Sequence, residues 1–438
     1  MKTLSRHKLV LYIALCVQLF LSSCHAQPSL HSDTVPSVQG EELSDSRHLL
    51  VGADMIFNGF CIPQTSSSEP IPLIKKKNIA VVANQSSLVG TTHLVDTMLS
   101  AGFDVVKIFS PEHGFRGNAE AGATIKSSTD TKTGLPIVSL YGKNKKPTKE
   151  QMSDIDVVIF DLQDVGCRFY TYISTLHYVM EACAERGIPC IVLDRPNPNC
   201  HYVDGPVLDT AHYRSFIGMH PVPIVYGLTI GEYATMINGE HWLKKGLQCD
   251  LTVVKMKNYH RDSIYPLPVA PSPNLQTKQS IALYPSLCLF EGTNISVGRG
   301  TKTPFEIIGS PECNIPCSNS IFNIDGQKVP ALFFSPHPIK GVSENPPHNG
   351  KLCRGLSLSD VKVEAKFNLS WLLTMYVYTP HDTFFKKSNS FELLAGTDQL
   401  RKQIQQGLSD EEIRASWEPA LTNYKKIRKN YLLYPDIQ

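Results

Sequence analysis

The residues of this chain with the type and spacing to do chemistry cluster first in DVVKIFSPEHGFRG, residues 104–117. There an apolar, β-branched run breaks at Ser110-Pro111 into Glu112, His113 and Gly114, followed by Arg116. Proline fixes φ and glycine admits positive φ, so a carboxylate, an imidazole and a guanidinium are set on a tight loop just past a strand. A rigid strand followed by a charged loop is where α/β proteins place groups that move protons and hold ligands. A solvated turn would look the same in isolation. What argues against it is recurrence, because three more apolar runs end in the same way.

The elements that carry these groups follow in order. Ile79–Ala83 ends in Asn84-Gln85, Asp156–Phe160 in Asp161, Gln163 and Asp164, and Cys190–Leu193 in Asp194-Arg195-Pro196-Asn197. Helical spacing lies between the runs, over Thr92–Ala101 with a Gly102 stop, over Tyr172–Arg186 with Gly187, and over Thr229–Leu243 with Glu232 in its first turn. Leu251–Met256 reads as a fifth strand. Strands alternating with helices imply a doubly wound parallel sheet, whose ligands sit outside the carboxyl ends of its strands. No GxGxxG follows the first strand and no GxxxxGK[ST] occurs, so neither a dinucleotide nor a nucleoside triphosphate site is expected despite the sheet type, and no cofactor is expected. Beyond residue 260 the texture changes. Proline-rich 266–273 precedes PSPNL with Asn274, then FEGTN with Glu291 and Asn294, then Gly298-Arg299-Gly300. Glycines so dense suggest backbone approaching a ligand closely. Val361–Tyr378 reads as strand then helix, and Asp398–Gln406 and Asp410–Arg428 as helices, together a smaller α+β domain.

At 438 residues, 42% apolar and 19% charged, the chain has ordinary globular composition and room for two domains. Lys2, Arg6 and Lys8 precede an apolar run, Leu9–Leu21, too short for a membrane anchor, the pattern of a signal peptide. It ends Leu21-Ser22-Ser23-Cys24, which resembles a bacterial lipobox, with Cys24 as the lipidated first residue of a protein tethered to a membrane it does not cross. The alternative is ordinary cleavage after Ala26. Loss of residues 1–23 removes three basic and no acidic residues, taking the formal charge from +2 to −1, so nothing suggests a nucleic-acid partner. The expected organisation is leader 1–23, tether 24–50, sheet domain 51–300 and smaller domain 301–438. Cys313 and Cys317 read as a local disulfide; a metal site there would need ligands the sequence does not offer.

SPEHGFRG (110–117), LYGKNKKPT (140–148), FDLQDVGCRFYTYISTL (160–176), LDRPNP (193–198), PSPNL (271–275), LYPSLCLFEGTN (283–294) and GRGTKTPFE (298–306) follow one another. In this order they resemble the exo-β-N-acetylmuramidases, the NamZ-like proteins long known as a domain of unknown function. The resemblance spans about residues 50–438. It implies a Rossmann-like amino-terminal domain, a smaller carboxy-terminal domain, an active cleft between them, and release of N-acetylmuramic acid from the non-reducing ends of peptidoglycan fragments. Cys167, where alanine is expected, and the insert at 311–317 depart from the pattern without removing a candidate catalytic group.

Glycoside hydrolysis ordinarily uses one carboxyl group to protonate the leaving oxygen and another as base or nucleophile. The resemblance places Glu112 in the cleft as the acid, with His113 orienting it; a salt bridge to Arg116 or Arg168 is the structural alternative. The second group is open among Asp161, Asp164, Glu232 and Glu291, with Glu291 preferred because its loop comes from beyond the sheet. Asp164 and Arg168 could equally pair with each other. Arg168, Arg195 and Arg299 each suit the lactyl carboxylate of muramic acid, which a planar guanidinium matches. Tyr170 and Tyr172 suit the sugar face, and core packing explains each equally well. The remaining residues expected to bind saccharide are Asn84, Gln85, Ser110, Arg116, Gln163, Asp194, Asn197, Asn274 and Asn294. Two other readings stand beside this one: a surface lipoprotein that binds wall sugars without cleaving them, and a hydrolase using Ser110, which lacks the GxSxG elbow.

Overall fold

Ile79–Ala83 occupies the middle of a seven-stranded sheet, paired in parallel with Val105–Ser110 on one side and Val157–Asp161 on the other. The computed structural model describes residues 48–57, 74–112, 114–116, 128–262, 265–317 and 320–437. Outside Val105–Ser110 lie Pro136–Ser139 in parallel and Ser128–Thr129 in antiparallel pairing; outside Val157–Asp161 lie Cys190–Leu193 and Leu251–Val254, both parallel. The chain therefore winds outward from the centre on one side, then returns to wind outward on the other. The reversal falls between Ile79–Ala83 and Val157–Asp161, the position at which such sheets open a crevice.

Burial explains why the central strands read as continuous apolar runs, since all five residues of Ile79–Ala83 and of Val157–Asp161 are buried. Alternation then sorts the two faces. Ala80, Val82, Phe109, Val158, Phe160 and Val192 face a large core that also takes in Tyr172–Arg186, Ile230–Gly239 and the carboxy-terminal helices. Ile79, Val81, Ile108, Ile159 and Ile191 face a smaller core with Gly52–Phe57 and Leu94–Ser100. Tyr172–Arg186 ends at Gly187 with φ 65°, as its sequence predicts, but it is buried on nearly every side because the later part of the chain packs over it.

A second sheet, antiparallel, runs Ile307–Ser310, Cys353–Ser357, Gln327–Phe334, Ile321–Ile324. It and the strand Pro136–Ser139 are not foreseen by the sequence reading. Their runs are short, and Pro136 and Pro330 lie within them, so the periodic signal is weak. The expected strand after Val361 does not form. Phe367 instead donates its N–H to the Asp204 carboxylate at 2.8 Å and its carbonyl accepts from Arg414, so side chains take the backbone groups a sheet would have used. Cys313 and Cys317 are free thiols; Cys313 is buried, whereas the Cys317 Sγ turns to the carbonyls of Ile315 and Leu332, 3.4 Å from each.

Gly309 and Gly355 face each other across the second sheet. A Cβ built on Gly355 would lie 1.8 Å from the Ile308 carbonyl oxygen, so any side chain must force the two strands apart. Gly355→Ala is expected to lower the stability by about 2–4 kcal/mol, read as a reduced urea midpoint, while Gly350→Ala, where nothing lies within 4 Å but φ is 70°, costs only about 1–2 kcal/mol of backbone strain.

Candidate active site

A cavity of about 300 Å³ opens beyond the carboxyl ends of the sheet strands. Its residues come from both halves of the chain. Glu112 follows the strand Val105–Ser110, Tyr141 follows Pro136–Ser139, and Thr171 stands at the start of Tyr172–Arg186; Glu291, Arg299 and Phe305 arrive from the later segment. Phe169, Tyr170, Tyr284 and Phe305 make an aromatic wall in which Tyr284 meets the other three rings edge to face, with centres 5.4, 6.0 and 5.1 Å away. An amphipathic wall of this kind suits the apolar face of a sugar ring.

Glu112 is half-buried and accepts a hydrogen bond at Oε2 from the Thr171 hydroxyl at 2.8 Å. Thr171 occupies the cap position of its helix in helical conformation and makes no capping bond with its side chain. The hydroxyl that would ordinarily serve the helix amides is thus turned onto the carboxylate. Tyr141 is a second partner, and burial together with the neighbouring Glu112 holds its phenol well above the usual range. The expected alternative, a salt bridge to Arg116 or Arg168, is not what forms. Arg116 grips Asp130 through Nε and Nη2 at 3.3 and 2.8 Å. His113 and Cys24 lie outside the described residues.

Glu291, also in the cavity lining, sits on a short turn, Cys288–Gly292, and its Oε1 accepts from the Arg299 Nε at 2.6 Å. Arg299 in turn lies over the Phe305 ring, 5.0 Å from its centre. Phe305 holds a left-handed conformation, φ 60°, pinned by its N–H to the Val297 carbonyl at 2.7 Å. Such strain in an aromatic residue persists only where the surroundings impose it. The glycines of this loop serve the loop itself rather than a ligand. A Cβ on Gly298, at φ 76°, would meet the Thr303 carbonyl at 2.9 Å, and one on Gly300 the His337 carbonyl at 2.6 Å.

Of the groups that the sequence singles out, Glu112, Glu291, Tyr170 and Arg299 meet in this cavity. The others hold the scaffold. Asp161 and Arg195 form a bidentate buried pair, and Arg195 also donates to the Leu88 carbonyl. Asp194 accepts from Thr229, the Gly231 amide and Tyr434, tying strand to helix and to the chain's end. Glu232 closes the Thr229 capping box and pairs with Arg261. Asn84 donates to the Tyr172 hydroxyl, Gln163 to the Pro196 carbonyl, and Asn197 to the Leu228 carbonyl. Gln85 reaches the Ala270 carbonyl and Asn274 the Val342 carbonyl. Asn294 bonds through its backbone to Phe384 and His348. The Ser110 hydroxyl is buried against the Pro111 carbonyl, 3.5 Å away, and Tyr172 is buried behind the wall. Arg168 does not pair with Asp164. Its Nη1 donates to the carbonyls of Pro206 and Val222 and its Nη2 to that of Leu394, at 2.7–2.9 Å, and burial lowers its pKa to about 9.

Polar strand ends are common to both uses, so sequence did not separate them. It also left Tyr141, Thr171, Tyr284 and Phe305 unassigned as cavity residues, although all four lie inside its long motifs; their side chains gain meaning only from what folds against them.

Comparison with known proteins agrees with this architecture. The family model of the amino-terminal region of exo-β-N-acetylmuramidase NamZ matches residues 79–279, and that of its carboxy-terminal region residues 282–434. The peptidoglycan β-N-acetylmuramidase NamZ of Bacillus subtilis strain 168 is 41% identical over 383 residues, covering 82% of this chain and 88% of that protein. Two crystal structures of DUF1343 family proteins from Bacteroides fragilis NCTC 9343 superimpose on 89% of the chain. One, 43% identical, has a TM-score of 0.76 and is covered over 99% of its length; the other, 27% identical, has 0.74 and is covered completely, at 100%.

Asp164 gives the site's scaffold a pH dependence. Its Oδ2 accepts from Tyr226 and, at 2.6 Å, from the Gly166 amide, while its buried Oδ1 has no hydrogen-bond partner among the described residues. Burial pushes this carboxyl up from 3.8 to about 7. Between those values the folded protein holds a proton that the unfolded chain has lost, so stability falls as pH rises through that window, by up to about 1.4 kcal/mol per unit. Asp194, also pushed up to about 7 by burial, adds to the slope. Melting temperatures measured from pH 5 to 8 are expected to decline, and Asp164→Asn to flatten the decline.

Proposed function

The chain belongs to the exo-β-N-acetylmuramidase NamZ family, and on that premise we propose that it is an exo-acting glycoside hydrolase that releases N-acetylmuramic acid from the non-reducing ends of peptidoglycan fragments. The observation that carries the chemistry is that Glu112 and Glu291, from loops far apart in sequence, line one cavity with an aromatic wall. Their partners differ, and so do their proposed roles. Glu112, touched by the hydroxyls of Thr171 and Tyr141, protonates the glycosidic oxygen as the bond breaks. Glu291, which accepts from Arg299, serves as base or nucleophile at the anomeric side. The rings of Tyr170 and Tyr284 seat the sugar.

The proposal extends to location. Lys2, Arg6 and Lys8 before Leu9–Leu21, ending in Leu-Ser-Ser-Cys, support export and a lipid anchor at Cys24. Radiolabelled fatty acid is expected to enter the wild-type protein and not Cys24→Ser. An unlipidated mature chain beginning after Ala26 would instead mark a secreted protein.

The enzymatic reading is tested with a chromogenic β-N-acetylmuramic acid glycoside beside its N-acetylglucosamine analogue. Release is expected from the first, and Glu112→Gln is expected to lower kcat by about 10²–10⁴-fold with KM changed little. Binding of the sugar without release by wild type would make the protein a wall-binding module instead.

A further inference from the structure

The cavity holds two glutamates, and the substrate proposed above adds a further carboxylate, its lactyl group, beside Glu291. Something must offset the repulsion. Among the described residues lining the cavity, Arg299 is the one cation. We infer that the terminal amino groups of Arg299 read the lactyl carboxylate and so set the preference for muramic acid over N-acetylglucosamine; the inference rests on the muramidase reading.

The geometry of this arginine differs from that of Arg168 and Arg195, the other two guanidiniums suited by their motifs to the lactyl carboxylate. Arg168 is wholly buried with both terminal nitrogens bonded to main-chain carbonyls, and Arg195 is locked onto Asp161. Neither can turn to a ligand without losing those bonds. Arg299 is anchored at one edge alone. Its Nε meets Glu291 at 2.6 Å and its plane lies over Phe305, 5.0 Å from the ring centre, while its Nη1 and Nη2 have no hydrogen-bond partner among the described residues. Its side chain keeps 18% of its surface exposed. A planar fork with one edge fixed, one face stacked and two donors free matches a carboxylate bidentately. The same contact would couple substrate to catalysis, because Arg299 also touches Glu291. A correctly seated lactyl group therefore sets the guanidinium that orients the catalytic carboxylate. A sugar lacking the group leaves those two donors unmatched in a mostly apolar cavity.

Loss of Arg299 would also disturb Glu291, so a variant by itself is ambiguous. A cycle resolves it. Wild type and Arg299→Gln are each assayed on the muramic acid glycoside and on the same glycoside with its lactyl carboxylate converted to the carboxamide, with melting curves confirming that both proteins are folded. Wild type is expected to prefer the carboxylate by roughly 100-fold in kcat/KM, and Arg299→Gln to shrink that ratio toward one. Arg299→Lys, which keeps the charge without the fork, is expected to fall between. Equal losses by Arg299→Gln on both substrates would overturn the inference and leave Arg299 as a partner of Glu291 only. So would loss of the preference in Lys145→Met but not in Arg299→Gln, since Lys145 lies 4.7 Å from the Phe216 ring at the cavity rim. If wild type cleaves neither glycoside, the muramidase reading fails separately. Calorimetry with free N-acetylmuramic acid and its carboxamide then decides: a binding preference lost in Arg299→Gln sustains the reader, and no preference in wild type removes it.

Discussion

The buried pair of Asp161 and Arg195 is the interaction on which the cleft stands. Asp161 ends the strand next to the centre and Arg195 follows the strand beyond it, so the pair clamps two adjacent carboxyl ends beside the sheet's reversal point. Both side chains are almost fully removed from water. Removing water from two charges costs several kcal/mol each, and only bidentate geometry with further hydrogen bonds offsets that. Arg195 satisfies the condition by also donating to the Leu88 carbonyl, which draws the small hairpin after the central strand into the same network. Such a pair contributes less to net stability than to arrangement, since breaking one partner leaves an uncompensated charge where none can be solvated.

The same demand explains why so much polar chemistry at the strand ends is not catalytic. A parallel sheet exposes main-chain groups and loop starts at its carboxyl edge, and a chain of this size covers that edge with later segments. Every donor and acceptor covered must find an internal partner. Asp194, Glu232, Asn197 and Gln163 provide those partners, and each joins segments remote in sequence. The groups proposed to react, Glu112 and Glu291, are left lining the cavity, on loops from opposite halves of the chain.

Around those two, the protein spends conformational strain and capping capacity alike. Thr171 forgoes its helix cap to hold Glu112, and Phe305 accepts a left-handed backbone to lie beneath Arg299. Here both departures bear on the orientation of a carboxylate.

By itself the sequence determined the alternation of strands and helices, the parallel sheet, the polar strand ends and the two loops that carry Glu112 and Glu291. These follow from periodicity, glycine and proline, all local properties. The motif order determined the family. Only the tertiary structure decided which polar residues serve the cavity and which serve the scaffold, because that depends on partners up to 240 residues away, as in the bond from Tyr434 to Asp194. It likewise decided that Arg168 bonds to carbonyls rather than to Asp164, and that Cys313 and Cys317 remain apart. A side chain's type states what it can bond. What it does bond is fixed by which surfaces fold against it, and spacing along the chain does not carry that information.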